Sequence, residues 1–294
     1  MSTLRSLAFI ARHPLNRAEP LRALWRFTAW QIATRLNRGA VAVPFVGDTR
    51  LLVARGMRGA TGNVYCGLHE FEDMGFVLHA LRPGDLFVDV GANIGSYSVL
   101  AAGASGAQVL AFEPAPRAYA ALQDNLRLNN LAALVEARSE AVGGAPGRRA
   151  ITVDLDTVNH LLDGAPSAAS TQVTITTLDA ALAGRQPNVL KIDVEGYETA
   201  VIEGAAQTLR SPALLAVLME LNGSGARYGF DECALHRRML QAGFSAARYD
   251  PLARRLLAAD ARRSGDNLLY IREWDALQAR LAAAPHRRVH GRSL

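Results

Sequence analysis

The sequence predicts a doubly wound α/β domain, and three observations carry that expectation. The run 86–90 is apolar around Asp89 and passes directly into the small-residue turn Gly91-Ala92-Asn93-Ile94-Gly95. About 20 residues beyond that turn, a second apolar run, 108–112, ends in Glu113-Pro114. From the Arg82-Pro83-Gly84-Asp85 turn onward, strand-like and helix-like segments alternate. Strands are expected at 86–90, 108–112, 133–137, 189–193, 214–220, 245–249 and 267–272, and helices near 95–103, 115–128, 198–209 and 231–242. Short apolar runs separated by helices are the pattern of strands covered on both faces by βα units, so the seven strands form one doubly wound sheet. A tight turn followed by an acid at the carboxyl ends of two such strands marks a site for a nucleotide-like ligand.

Composition bounds the rest. The 294 residues carry a formal charge of +5, but nearly all the positive residues are arginines in an alanine-rich chain. No basic stripe interleaved with aromatics accompanies them, so no nucleic-acid partner is expected. Cys66 and Cys233 are too few and too far apart for a disulfide framework, which fits a reducing, cytoplasmic setting. No run of about 20 apolar residues is present to span a bilayer, and Met1 to Ile10 lacks the pattern of a signal peptide. The expected organisation is an N-terminal extension (1–64), a main domain (65–275) with an insertion at 143–187, and a C-terminal helix end with a basic tail (276–294).

Within the extension, residues 1–40 hold seven arginines against one acid, Glu19, and Pro20 to Arg38 reads as a helix closed by Gly39. Leu21, Leu24, Trp25, Ile32 and Leu36 fall on one side, with Arg22, Arg26 and Asn37 on another. The favoured reading turns the apolar side into the core, making the helix a cap on the main domain; the same pattern also suits an anionic membrane surface. Residues 41–46 and 50–54 read as a hairpin around Gly47-Asp48. His69, Glu70, Glu72 and Asp73 crowd one segment, with His79 beyond, and in a helix His69 and Asp73 would share a face. Their spacing matches no metal signature, and no metal is assigned. The insertion contains Gly143-Gly144, Pro146-Gly147, a Ser167 to Ser170 stretch and strand-like runs at 150–153 and 172–176, and is expected to form a substrate-side flap or extra hairpin. The tail from Pro285 is basic without an apolar face, and disorder is expected there.

The turn narrows the ligand. A dinucleotide fingerprint needs Gly-x-Gly-x-x-Gly, so that bare backbone meets the pyrophosphate. Aligned from Gly91, the second and third glycines are Asn93 and Ser96, and no P-loop occurs anywhere in the chain. S-adenosylmethionine has an adenosine but no phosphate. Its site needs a small-residue turn, supplied by Gly91, Ala92, Asn93 and Gly95, and a carboxylate for the two ribose hydroxyls, supplied by Glu113. Asp89 is placed to orient the turn or to meet the ammonium of the methionine moiety, and Tyr97 to pack on that moiety.

Five separated pieces occur in order: 87–95, Ala111-Phe112-Glu113-Pro114, Ala141-Val142-Gly143, Thr177-Leu178-Asp179 and Leu190-Lys191-Ile192-Asp193-Val194-Glu195-Gly196. Together they resemble the FkbM family of S-adenosylmethionine-dependent methyltransferases, over roughly 65–222. The resemblance implies a class I methyltransferase (Rossmann-like) fold, with a seven-stranded sheet containing one antiparallel strand near the edge. It implies an acceptor that is a small molecule, sugar or glycan methylated on a hydroxyl or carboxyl oxygen. It also implies adenine contacts from the end of the third strand, where Ser139 and Glu140 stand.

A second acidic group follows the fourth strand. Lys191 is the single lysine of the chain and lies in an apolar strand that ends at Asp193; Glu195 and Glu198 come next, and Glu220 ends the following strand. If those strands are neighbours, Asp193 and Glu220 lie one or two strand spacings apart. Carboxylates that close need a raised pKa, a divalent cation, or neutralisation by Lys191 or an arginine. Asp193 is the expected general base, with Lys191, Glu195 and Glu220 as its catalytic companions. Two other readings remain: a methyltransferase fold kept as a non-catalytic binding module, and a nicotinamide oxidoreductase.

Overall fold

The computed structural model describes residues 3–36, 39–155, 158–162, 169–259 and 267–294. Asn37 and Arg38 at the expected helix end, and Ser167 and Ala168 of the insertion, lie outside the described residues. The chain opens with α1 (Thr3–Arg12) and α2 (Pro20–Leu36), a hairpin of β1 (Val41–Pro44) and β2 (Arg50–Val53), and then α3 (Arg58–Cys66) and α4 (Phe71–Ala80). β3 (Leu86–Val90) follows, and α5 (Ser96–Val99) continues into a wider π-type turn over Leu100–Ala104. Next come β4 (Gln108–Phe112), α6 (Pro116–Leu128) and β5 (Val135–Arg138). A small sheet then forms from β6 (Ala141–Val142), β7 (Gly147–Thr152) and β8 (Ser170–Thr176). α7 (Leu178–Leu182), β9 (Val189–Ile192), α8 (Glu198–Glu203), β10 (Ala216–Glu220), α9 (Glu232–Gln241), β11 (Ser245–Asp250), β12 (Arg255–Ala258), β13 (Asn267–Ile271) and α10 (Trp274–Ala282) complete the main fold. The chain closes on a short hairpin, β14 (Arg288–Val289) and β15 (Arg292–Ser293).

The main sheet has the order β12-β11-β13-β10-β9-β3-β4-β5. Its centre, β10-β9-β3-β4-β5, is parallel, and β13 enters antiparallel between β10 and β11. The mostly parallel sheet with an antiparallel strand toward one edge is therefore present. It has eight strands rather than the expected seven, because the chain turns after Asp250 and pairs β12 antiparallel to β11. Three of the four β12 residues are exposed, so this edge strand carries no apolar run to betray it. Every residue of β3 is buried, and β9 is buried throughout, as strands flanked by helices on both faces require. Helix starts follow ordinary capping chemistry: Pro116 opens α6, Thr177 Oγ1 accepts the Ala180 N–H ahead of α7, and Asp231 accepts the Cys233 N–H ahead of α9. α8 stops well before the expected 209, at Gly204, where an added Cβ would lie 2.1 Å from the Gly143 carbonyl oxygen. That close approach binds the insertion's base to the helix.

The extension shares its core with the main domain. Ile10, Leu15, Trp30, Leu51 and Val53 pack in one cluster with Phe87 and Val109 of the central strands. α2, however, presents the opposite face from the one its pattern suggested. Ala23, Trp30 and Thr34 are buried, whereas Leu21, Trp25, Ile32 and Leu36 face solvent. Polar bonding selects this orientation: Arg26 donates to Asn16 Oδ1 (2.7 Å) and to the Tyr65 carbonyl (3.0 Å), and Asn16 in turn donates to the Ile10 and Tyr65 carbonyls. The C-terminal tail also departs from expectation. Val289 is fully buried and bridges Val46, and the Gly47 N–H donates to the Arg288 carbonyl (2.9 Å), so one inward valine on a two-residue strand orders the segment. No helix among the described residues is long and apolar enough to cross a membrane.

Candidate active site

A cavity of about 330 Å³ lies at the carboxyl ends of β3, β4, β9 and β10, within the size range of small-molecule sites. Its floor is the turn after β3. Gly91 has φ +81°, and an added Cβ would lie 1.8 Å from the Asp193 carbonyl oxygen, so turn and β9 loop meet backbone to backbone. The Gly91 and Ala92 N–H groups both donate to the Phe112 carbonyl, which ties the turn to β4 as well. Asn93 is left-handed at φ 50° and steadies itself by accepting the Ile94 N–H at 2.7 Å. Asn125 clamps the turn from α6, donating to the Ile94 carbonyl (2.8 Å) while accepting the Leu52 N–H from the N-terminal hairpin (2.7 Å).

We expect Gly91→Ala to destabilise the fold by at least about 2 kcal/mol, since it combines a strained φ with a backbone clash. Thermal melts check this, and a wild-type midpoint would show that the turn and the β9 loop can part at little cost.

Glu113 closes the turn from β4. Its Oε2 accepts the Asn93 N–H and its Oε1 the Ala115 N–H, each at 2.8 Å. Burial pushes its carboxyl up to about 7, against the opposing pull of those two N–H donors. A carboxylate oxygen has two lone-pair positions, so each oxygen keeps one for a ligand.

The second acidic group assembles as strand geometry dictates. Asp89 and Lys191 are partners in the β3–β9 register, and Asp193 lies two residues beyond Lys191, on the same face. The register of β9 with β10 places Ile192 opposite Met219, and hence Asp193 beside Glu220. Asp193, Glu195 and Glu220 each offer an oxygen within 4.8 Å of the others. Lys191 Nζ lies 3.0 Å from Asp193 Oδ2 and 3.8 Å from Asp89 Oδ1, and 4.9 Å above the centre of the Tyr97 ring. Burial alone would lower the Lys191 pKa, but Asp193, Asp89 and Glu70 outweigh it and hold the ammonium charged. Burial, and next Asp193, push Glu195 up to about 7. Burial followed by the charges of Asp193, Glu195 and Glu198 also raises Glu220, whose Oε2 is buried without a hydrogen-bond partner. Glu195 sits at φ 56°, a strained conformation for a non-glycine residue. Glu198 holds this loop in shape by accepting the Val194 and Gly196 N–H groups.

The expected residues fall into three groups. Gly91, Ala92, Asn93, Tyr97, Glu113, Glu140, Lys191, Asp193, Glu195 and Glu220 all line the cavity. Asp89 lies beneath it, fully buried and outside the lining, accepting Ser98 Oγ–H at 2.7 Å and supporting Lys191 from below. Gly95 shapes the turn from outside the wall, and Ser139 is exposed and also outside it, leaving Glu140 as the β5-end contact. Two wall residues, noticed in the sequence only as part of a crowded polar segment, were not assigned to this site. Glu70 accepts the Tyr97 hydroxyl (2.6 Å), and His69 has a buried, unpartnered Nδ1. His69 precedes α4, so it does not share a helical face with Asp73. From the insertion, Ile151, Asn159, His160 and Leu161 complete the wall.

A family model for the methyltransferase FkbM domain matches residues 89–246. The 31-O-demethyl-FK506 methyltransferase FkbM of Streptomyces tacrolimicus is 38% identical over 112 residues, covering 37% of this chain. The match spans 42% of the length of that curated relative. Among solved structures, a methyltransferase FkbM from Methylobacillus flagellatus KT is 17% identical with a TM-score of 0.44, over 72% of this chain and 52% of that one. The C-terminal domain of precorrin-6Y C5,15-methyltransferase from Rhodobacter capsulatus is also 17% identical, with a TM-score of 0.39 over 67% and 84% of the two chains. The matched segment covers more than half of the chain and contains every residue from Asp89 to Glu220 discussed above: the chain belongs to the FkbM family of S-adenosylmethionine-dependent methyltransferases.

Proposed function

We propose that the chain methylates a hydroxyl oxygen of a neutral, polyhydroxylated acceptor, a small molecule, sugar or glycan, using S-adenosylmethionine. The observation that carries this reading is the charge of the cavity. Its described lining includes Glu70, Glu113, Glu140, Asp193, Glu195 and Glu220, with Lys191 as the single lysine and no arginine. Such a wall repels a pyrophosphate, which argues against a nicotinamide dinucleotide, and it suits a cationic sulfonium. Glu113, with a free lone pair on each oxygen, fits the two ribose hydroxyls, and Gly91, Ala92 and Asn93 line the cavity where the methionine portion would lie.

When bound, S-adenosylmethionine supplies an electrophilic methyl group already activated as a sulfonium. The chain's own task is to orient an acceptor oxygen and remove its proton. Asp193, half-exposed at the β10 side of the cavity and held by Lys191, is placed to accept that proton, with Glu220 beside it to share the charge. A carboxylate acceptor would enter beside the Glu70 and Asp193 carboxylates. Each like-charge pair at 4 Å costs about 1 kcal/mol in water and about 4 kcal/mol in a partly buried setting. A hydroxyl meets no such barrier. Complete assembly of Asp193, Glu195, Glu220 and Lys191 also argues against a non-catalytic scaffold.

The test is methyl transfer from a deuterium-labelled donor to panels of polyols, sugar acids and amines, read by mass spectrometry. Label on hydroxyl oxygens is expected; label confined to carboxyl oxygens or to nitrogen would overturn the reading. Turnover is expected to survive chelation, because Lys191 and retained protons neutralise the carboxylates. Loss of turnover with a chelator and its recovery with a divalent ion would give that role to a metal.

A further inference from the structure

The N-terminal helices carry a surface that the catalytic reading does not use. Leu21, Trp25, Ile32 and Leu36 are 81%, 69%, 59% and 83% exposed, values that make them a face rather than gaps in packing. At 100° per residue they fall within one narrow stripe of α2, opposite the buried Ala23, Trp30 and Thr34. Arg35 borders this stripe on one side and Arg22 on the other, both exposed, and Arg5, Arg12 and Arg17 are exposed nearby in sequence. Between Thr3 and Leu36 there are six arginines and one acid, Glu19, which pairs with Arg22 at 3.1 Å.

We propose that this face of α2 docks on an anionic membrane surface. A stripe of Leu, Trp and Ile bordered by arginines is the arrangement that lies at a lipid interface, with the apolar side chains among the acyl chains and the guanidinium groups at the phosphates. Charge complementarity selects this occupant over a second copy of the chain: two copies would bring their arginine borders together. α1 links the face to the site, because its Phe9 ring packs edge-on against His69 of the cavity wall at 5.5 Å.

The test is flotation of the full chain with phosphatidylglycerol-containing vesicles and with pure phosphatidylcholine vesicles. Recovery with the anionic vesicles is expected to exceed recovery with the neutral ones by at least about tenfold and to fall in molar salt. Trp25→Ser with Ile32→Ser, and separately Arg22→Glu with Arg35→Glu, are each expected to abolish flotation. These side chains are exposed, so melting temperature and cofactor affinity should stay unchanged. Absence of flotation, equal recovery with neutral vesicles, or variants that float like the wild type would overturn the proposal. So would a concentration-dependent dimer, seen by light scattering, that the Trp25→Ser, Ile32→Ser variant dissolves, since that would give the face to a second copy of the chain.

Discussion

Replacing Glu113 with alanine is expected to weaken S-adenosylmethionine binding by about tenfold or more, measured by calorimetry. The loss has two physical parts. The variant removes the acceptors for both ribose hydroxyls, and it leaves the Asn93 and Ala115 N–H groups without the oxygens they now meet at 2.8 Å. Glu113→Gln separates the two, because it keeps the volume and one acceptor oxygen; an intermediate affinity is expected. Wild-type affinity should also weaken as pH falls below about 7, the point to which burial raises Glu113, because the protonated acid is a weaker acceptor for the ribose. Equal affinity in the wild type and Glu113→Ala would remove this residue from the cofactor site.

Asp193→Asn is expected to lower kcat by about 10²–10⁴-fold, the usual contribution of a positioned base, with cofactor affinity changed little. The amide is nearly isosteric but does not take up a proton. The pH profile adds a readout that a structural role would not produce. Glu195 is raised to about 7 and Glu220 is raised as well, each by burial first and by the charge of Asp193 next, so these two carboxyls retain protons at acidic pH and release them as pH rises. Wild-type turnover should therefore climb through neutral pH as Glu195 and Glu220 lose their protons, and because Asp193→Asn removes the charge that helps raise both, the residual turnover of the variant should climb at lower pH. Retained turnover would reject Asp193 as the base. Loss of cofactor binding along with turnover would assign it to holding the β3 turn, whose Gly91 rests on its carbonyl.

The parts of the site legible in the sequence are those fixed by strand periodicity. Lys191, Asp193 and Glu220 could be placed together because Lys191 and Asp193 share one face of a strand and Glu220 ends the next one, whereas the pairing of Asp89 with Lys191 needed the β3–β9 register. The turn was legible because the demand for small residues is local. His69 and Glu70 were not, since they reach the cavity only through the packing of the segment before α4, and their spacing carries no local meaning. The inward face of α2 was misread for a related reason: Arg26 and Asn16 bond to backbone carbonyls across the extension, and that bonding outweighs the burial of a leucine and tryptophan stripe. Ser139 and Glu140 differ by one position in the chain, and backbone alternation after β5 sends only the second into the wall.

On the proposed reading, the turn after β3 and Glu113 bind S-adenosylmethionine rather than a phosphate-bearing dinucleotide. Titration of the purified wild-type chain with S-adenosylhomocysteine and, separately, with NADH tests it most directly. Micromolar binding of S-adenosylhomocysteine and no measurable binding of NADH is the predicted result; saturable NADH binding with none of S-adenosylhomocysteine would contradict it.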